Sequence, residues 1–294
     1  MLFFNCALRT CMGCFVKART QIIDLACSGM NITAHSRTVP LVEPLDVAEI
    51  ISALDSGYWR VQHFNLIDST QRALVSELAA GSASEGEVYL TEFQSAGRGR
   101  AGRSFESEAG QGVLLSAALS PVGQPENRWG WIPLIVGVAA CSAIVKTTGV
   151  NTSLKWPNDV MIDDKKVGGI IAEKVNHNVV IGIGINCLQD QSNLPAENST
   201  SLTIHSSEKV SRELLVINFL TDLARAIMEW QVKPFPIENK YRQLSSTLEE
   251  EVRLTLPDGS EVFGRAAAIS GSGSLVLADG QEFVAADVTH LRAK

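Results

Sequence analysis

An α+β chain ending in a small β-rich domain is what this sequence predicts, on three observations. Helical and strand-like periods are interleaved over roughly 200 residues. The last 48 residues, 247–294, repeat short strands and turns at close intervals. A chain of 294 residues with 45% hydrophobic content can bury a real core and divide into about two domains.

Residues 1–40 show no clear period and carry Arg9, Lys17, Arg19 and Arg37 against one acid, Asp24, so they read as a poorly ordered extension. From Pro40 the pattern becomes orderly. Asp46 with Glu49 three residues on, then Val47, Ile50, Ile51 and Leu54, predict a capped amphipathic helix. A second helix starts at Asp68-Ser69-Thr70 and carries Leu74 and Leu78. Strands at 88–93 and 113–119 flank a loop rich in glycine and arginine. The uncharged stretch between Arg128 and Lys146 is short for a membrane span and contains Gly130, Pro133, Gly137 and Ser142, so a buried helix is expected. A turn-rich loop at 155–159, an apolar strand at 179–185 and a long helix with Leu220, Leu223, Ile227 and Trp230 on one face follow, before Pro234 and Pro236. Strands at 252–256, 261–267 and 275–277, separated by Pro257-Asp258-Gly259 and a Gly-Ser-Gly-Ser break, complete a small barrel. The domain reading is therefore an extension, 1–40, a central domain, 41–246, and a C-terminal domain, 247–294.

Charge narrows the function classes. A formal charge of −7 with 19% charged residues gives the chain no overall attraction to nucleic acid or an anionic membrane, so a bound anion must be held by a local cluster. The C-terminal domain holds four basic and eight acidic residues, which argues against nucleic-acid binding there. Arg9 interrupts the first apolar run and no basic residue precedes it, so a secretory signal is not expected and the cytoplasm is the default compartment. Four of six cysteines, Cys6, Cys11, Cys14 and Cys27, crowd near the start; one CxxC with irregular partners reads as reduced thiols rather than zinc.

Three segments carry chemistry. In TEFQSAGRGRAGRSF (91–105), Arg98, Arg100 and Arg103 alternate with Gly97, Gly99 and Gly102; the glycines admit close backbone approach and the guanidiniums offer forked donors to phosphate or carboxylate. Lys155-Trp156-Pro157-Asn158-Asp159, followed by Lys165, Lys166, Gly168 and Gly169, sets lysines around a carboxylate, a mixture suited to phosphate and Mg2+ or to ordinary surface ion pairs. Third is the strand Val180-Ile181-Gly182-Ile183-Gly184-Ile185-Asn186. No Walker or Rossmann phosphate motif is present.

In this order, GRGRAGR, KWPND, KVGG and GIGIN resemble the biotin–protein ligase family, from about Leu45 to the C-terminus. The resemblance implies a central mixed sheet packed with helices, as in class II aminoacyl-tRNA synthetases, and a C-terminal SH3-like β-barrel. It implies that biotin and ATP form biotinyl-5'-AMP and pyrophosphate, and that a lysine of the biotin carboxyl carrier protein of acetyl-CoA carboxylase then displaces AMP. Ser69, Thr70, Gln94, Gly97 and the backbone at Arg98 would hold the biotin ring, with Gly182 and Gly184 at the pocket border. Arg100, Arg103, Lys155 and Lys166 would contact carboxylate and phosphates, Lys166 stabilising charge at the α-phosphate. Phe105 would anchor the adenylate where a tryptophan is common, and Asn158, Asp159 and Asn186 would organise nucleotide and Mg2+, Asp159 also orienting the incoming lysine. The loop 98–109 is expected to order over the adenylate.

Two departures accompany the resemblance. Residues 1–40 lack the winged-helix pattern of bifunctional members, so sequence-specific DNA binding is not expected. Residues 187–204 contain no aromatic to stack on adenine, leaving Leu188 or Leu202 as substitutes. A homodimer through an extended sheet edge is a family expectation only. A lipoate or octanoate transferase and a non-enzymatic biotin binder are the competing classes.

Overall fold

In the computed structural model, which describes residues 42–54 and 57–291, Asp46 accepts the backbone N–H of Glu49 and caps α1 (Val47–Ala53), as the spacing predicts. The tail reading of 1–40, with Cys6, Cys11, Cys14 and Cys27, lies outside the described residues. Next come β1 (Arg60–Phe64), α2 (Thr70–Ala80, capped by Ser69), β2 (Glu87–Thr91), β3 (Gly112–Leu119), α3 (Trp131–Thr148), β4 (Ser153–Lys155), β5 (Asp159–Ile162), β6 (Lys165–Val175) and β7 (Asn178–Asn186). The chain continues through α4 (Leu202–His205), α5 (Arg212–Val232) and α6 (Pro234–Leu244), then β8 (Glu251–Thr255), β9 (Glu261–Ile269), β10 (Leu275–Leu277), β11 (Glu282–Phe283) and β12 (Asp287–His290).

β1 to β7 form one mixed sheet in the order β1-β2-β3-β7-β6-β5-β4, with β1 and β2 parallel and the other pairs antiparallel. The strand period of two separates its faces. Along β7, Ile181, Ile183 and Ile185 join the main core beneath α3 and α5, whereas Val180 packs with Leu74 and Leu78 of α2. α3 is apolar all round and is long and apolar enough by composition to cross a membrane, yet it is largely buried, packed against α5 and α6. α2 covers only part of the opposite face. The remainder is the trough that holds the candidate site.

β8 to β12 form a second, antiparallel sheet in the order β11-β10-β9-β8-β12. Its Val252, Leu254, Ala266, Ile269, Leu275, Leu277 and Val288 belong to the same hydrophobic cluster as α3 and β7, so one core runs through both sheets. The indole N–H groups of Trp131 and Trp156 donate to Ser270 O (3.0 Å) and Gly273 O (3.2 Å) across this junction.

Some elements differ from expectation for local reasons. RVQHF at β1 has no clean alternation because His63 and Phe64 are both half-buried, so its strand is not evident. The turn-rich stretch 155–159 joins two three- and four-residue strands through a cis Trp156–Pro157 bond. The long helix α5 ends at Val232, before Pro234 as expected, but a further helix follows at once: Pro234 occupies the first turn of α6, where a missing N–H costs nothing.

Candidate active site

The floor of the site is a set of cross-strand rows. Register places Ser116, Gly182 and Ile171 side by side on β3, β7 and β6, and Leu114, Gly184 and Gly169 in the next row. Each glycine makes room for a particular side chain. A Cβ on Gly182 would stand 2.7 Å from Gln71 Oε1, and one on Gly184 would stand 2.5 Å from the Phe105 ring. Above this floor lies a cavity of about 350 Å³.

One end of the cavity is polar and uncharged. The N-terminus of α2 brings Ser69, Thr70 and Gln71 against Gln94, just after β2, and Ser116 of β3. Gln94 Oε1 accepts the N–H of Thr70 at 2.9 Å, and Thr70 Oγ1 lies 2.9 Å from Ser116 Oγ. Gln71 donates to Val180 O at 3.0 Å while its Oε1 is buried without a partner. A neutral ligand with both donors and acceptors suits such a chamber.

The other end is cationic. The cavity lining includes Arg98, Arg100, Arg103, Lys155 and Lys166 against two carboxylates, Asp159 and Asp287, a local positive excess in a chain of net −7. The glycine-arginine loop folds on itself: Gly99 N–H donates to Arg103 O at 2.6 Å and Phe105 N–H to Gly97 O at 3.0 Å, with Ala101 at φ 54° in the left-handed region. Arg98 pairs with Glu173 at 3.0 Å. Arg100 and Arg103 both donate to Asp287, at 2.7 and 2.6 Å.

Lys166 at the start of β6 pairs with Asp159 Oδ1 at 2.7 Å. Its backbone is fixed on both sides, its N–H donating to Asn198 O at 2.9 Å and its carbonyl accepting from Thr200 N at 2.8 Å. Burial pushes the Lys155 ammonium below the usual lysine range; Asp159 works against that shift and Lys166 adds to it. Asn158 donates to Ile170 O at 3.0 Å, fastening the KWPND turn to β6.

The Biotin/lipoate A/B protein ligase family model matches residues 63–187. The biotin--[acetyl-CoA-carboxylase] ligase of Mycobacterium tuberculosis is 32% identical over 267 residues, covering 89% of this chain and all of that protein. This chain belongs to the biotin protein ligase family. The bifunctional ligase/repressor BirA of Bacillus subtilis is 31% identical over 224 residues, 73% of this chain and 68% of its own length. Among solved structures, the biotin protein ligase of Aquifex aeolicus in complex with biotin and ATP superposes with a TM-score of 0.68 at 26% identity, over 80% of this chain and 99% of that one.

As a biotin protein ligase family member, the chain brings together at one cavity Ser69, Thr70, Gln94, Arg98, Arg100, Arg103, Phe105, Lys155, Asn158, Asp159, Lys166, Gly182 and Gly184. Two expected residues stand apart. Gly97 is not in the lining; it is glycine because a Cβ there would lie 2.3 Å from Phe105 O, so it serves the fold of the loop. Asn186 is buried at 4% exposure and its Nδ2 donates to Thr200 O at 3.0 Å, so the amide fastens the segment after β7 instead of facing the cavity. Leu202 is wholly buried and offers no adenine surface, whereas Leu188 is partly buried against the core. The lining residues not singled out from sequence include the polar Gln71, Ser116 and Asp287. The Ser69-Thr70 signal extended one residue to Gln71; Ser116 hides in an apolar run and Asp287 in a surface-like tail.

Proposed function

We propose that this cavity activates biotin with ATP to biotinyl-5'-AMP and passes the biotinyl group to a lysine of the biotin carboxyl carrier protein of acetyl-CoA carboxylase. The observation that carries the reading is the union, in one cavity, of a neutral hydrogen-bonding chamber and a cationic chamber. The chamber of Ser69, Thr70, Gln94 and Ser116 suits the ureido ring, whose carbonyl needs donors and whose N–H groups need acceptors. Arg100, Arg103, Lys155 and Lys166 answer the repulsion between a carboxylate and the nucleotide's phosphates, about 1 kcal/mol per charge pair at 4 Å in water and several-fold more in a drier site. Arg100 Nε, buried and unpartnered, is a donor in reserve.

The chemistry is two displacements. A biotin carboxylate oxygen attacks the α-phosphorus and pyrophosphate leaves; the neutral lysine amine then attacks the acyl carbon and AMP leaves as the amine loses its proton. Asp159, at the cationic end of the cavity, would orient that amine. Positioning and charge neutralisation supply the catalysis. Among the described residues no three or more His, Cys, Asp or Glu side chains gather as a metal site. A single carboxylate beside phosphates fits Mg2+ carried in by the nucleotide, with Asp159 as its protein ligand and Asn158 nearby. We take the β8–β12 sheet as the SH3-like barrel of the family and 41–246 as its catalytic domain; the repressor function in the Bacillus relative's name is not carried over.

The test is biotin-dependent exchange of labelled pyrophosphate into ATP with the full chain and Mg2+, with lipoate and octanoate in parallel. Exchange with biotin alone is expected; exchange with lipoate or octanoate instead, or with none, removes the reading. A second expectation follows from Lys155. A lysine with a lowered pKa keeps its charge below that pKa and loses it earlier as pH rises, so ATP affinity should fall on the alkaline side before an ordinary lysine, near 10.4, would titrate. Lys155→Arg should move that fall to higher pH. Coincident ATP KM profiles for the two proteins between about pH 8 and 10.5 would exclude Lys155 as the titrating group.

A further inference from the structure

Both guanidiniums assigned above to the phosphates are held by one carboxylate from the far end of the chain. Arg100 Nη2 donates to Asp287 Oδ1 at 2.7 Å and to Ala286 O at 2.6 Å, and Arg103 Nη2 spans Oδ1 and Oδ2 at 2.6 and 2.8 Å. Asp287 opens β12, where it pairs with Thr255, and its neighbours Ala286 and Val288 are buried in the core. The carboxylate therefore cannot follow the loop away from the C-terminal sheet. Asp287, Val288 and Thr289 line the cavity itself.

A guanidinium offers carboxylate and phosphate the same forked donors, so donors committed to Asp287 are not available to a phosphate. A carboxylate left in place beside a phosphate would also repel it. Arg98, the remaining cation of the loop, is itself paired with Glu173 at 3.0 Å. The Arg103 pair is open to exchange, its two side chains being 59% and 52% exposed, whereas the Arg100 side chain is 26% exposed and more firmly held. Despite some burial, which works the other way, the hydrogen bond and charge of Arg103 and the charge of Arg100 hold the Asp287 carboxyl below the usual range, so it stays ionised at neutral pH.

We infer that Asp287 is a positioning residue that stands in for a substrate phosphate: it gathers Arg100 and Arg103 on the C-terminal sheet and yields them to the nucleotide, so that this sheet sets nucleotide affinity. The inference rests on the nucleotide reading above. Its test is calorimetric titration of the full chain with inorganic triphosphate and with MgATP. Asp287→Asn keeps the shape and removes the charge, and should bind both probes roughly three- to tenfold more tightly, the scale of two partly exposed ion pairs. Biotin affinity should not change, and Asp287→Glu should behave as the wild type. The gain should vanish when Arg100→Ala and Arg103→Ala are also present, a coupling that a merely structural role would not produce. Equal or weaker probe binding by folded Asp287→Asn, or a gain that survives loss of both arginines, overturns the stand-in. A wild-type chain that binds neither probe removes the nucleotide reading, and the stand-in with it.

Discussion

Lys166→Ala is expected to lower biotin-dependent pyrophosphate exchange by about 10²- to 10³-fold, the scale of removing one preorganised charge from a developing oxyanion. The ammonium is held from three directions. Its backbone is bonded to Asn198 and Thr200, its Nζ to Asp159, and its stem lies over Gly169, where a Cβ would meet Lys166 Cε and Nζ at 3.1 Å. None of these restraints has to be assembled during the reaction, which is what makes the charge effective. Removing it also leaves the Asp159 carboxylate unpaired beside the phosphates, adding repulsion. Because the side chain is 36% exposed, little folding energy is at stake, and the melting temperature should stay within about 2 °C. Exchange within threefold of wild type would show that the charge at the α-phosphate is supplied elsewhere.

How far the site was legible depends on what each residue does locally. The arginines of GRGRAGR and the lysines of KWPND and KVGG stood out because a cationic cluster in an acidic chain needs an anion to explain it. Gly182 and Gly184 were readable as close approaches, but the partners they approach, Gln71 and Phe105, are 111 and 79 positions away, and no local pattern encodes that. Asn186 misled because a polar residue closing an apolar strand reads as emerging into solvent, whereas the following segment returns and takes its amide at Thr200. Asp287 was invisible for a related reason. An aspartate in a short polar-looking strand is ordinarily a solvated surface group, and only the fold brings it onto Arg100 and Arg103. The helix cap at Asp46 and the helix start at Asp68-Ser69-Thr70 were legible because capping partners lie only three residues on.

Gly273→Ala is expected to lower the melting temperature by roughly 6–12 °C, because two backbones touch there with no side chain between them. A Cβ at Gly273 would stand 2.5 Å from Gly130 C, 2.7 Å from Gly130 O and 2.8 Å from Trp131 N, and φ is +87°. All three neighbours are backbone atoms at the start of α3, so none can rotate away. Strain at a positive φ and overpacking together cost about 3 kcal/mol. Relief requires the 271–274 turn to withdraw from α3, which takes the acceptors Ser270 O and Gly273 O from the buried indoles of Trp131 and Trp156. Trp156 lies between Lys155 and Asp159 in the chain, so the same movement disturbs the phosphate end of the cavity while leaving Ser69, Thr70 and Gln94 in place. The ATP KM should therefore rise more than the biotin Kd. Gly271→Ala is the internal control, since a Cβ there meets nothing within 4 Å and its φ is not positive. It should melt within about 1 °C of wild type. If the two variants melt alike, the C-terminal sheet is not held through this backbone contact.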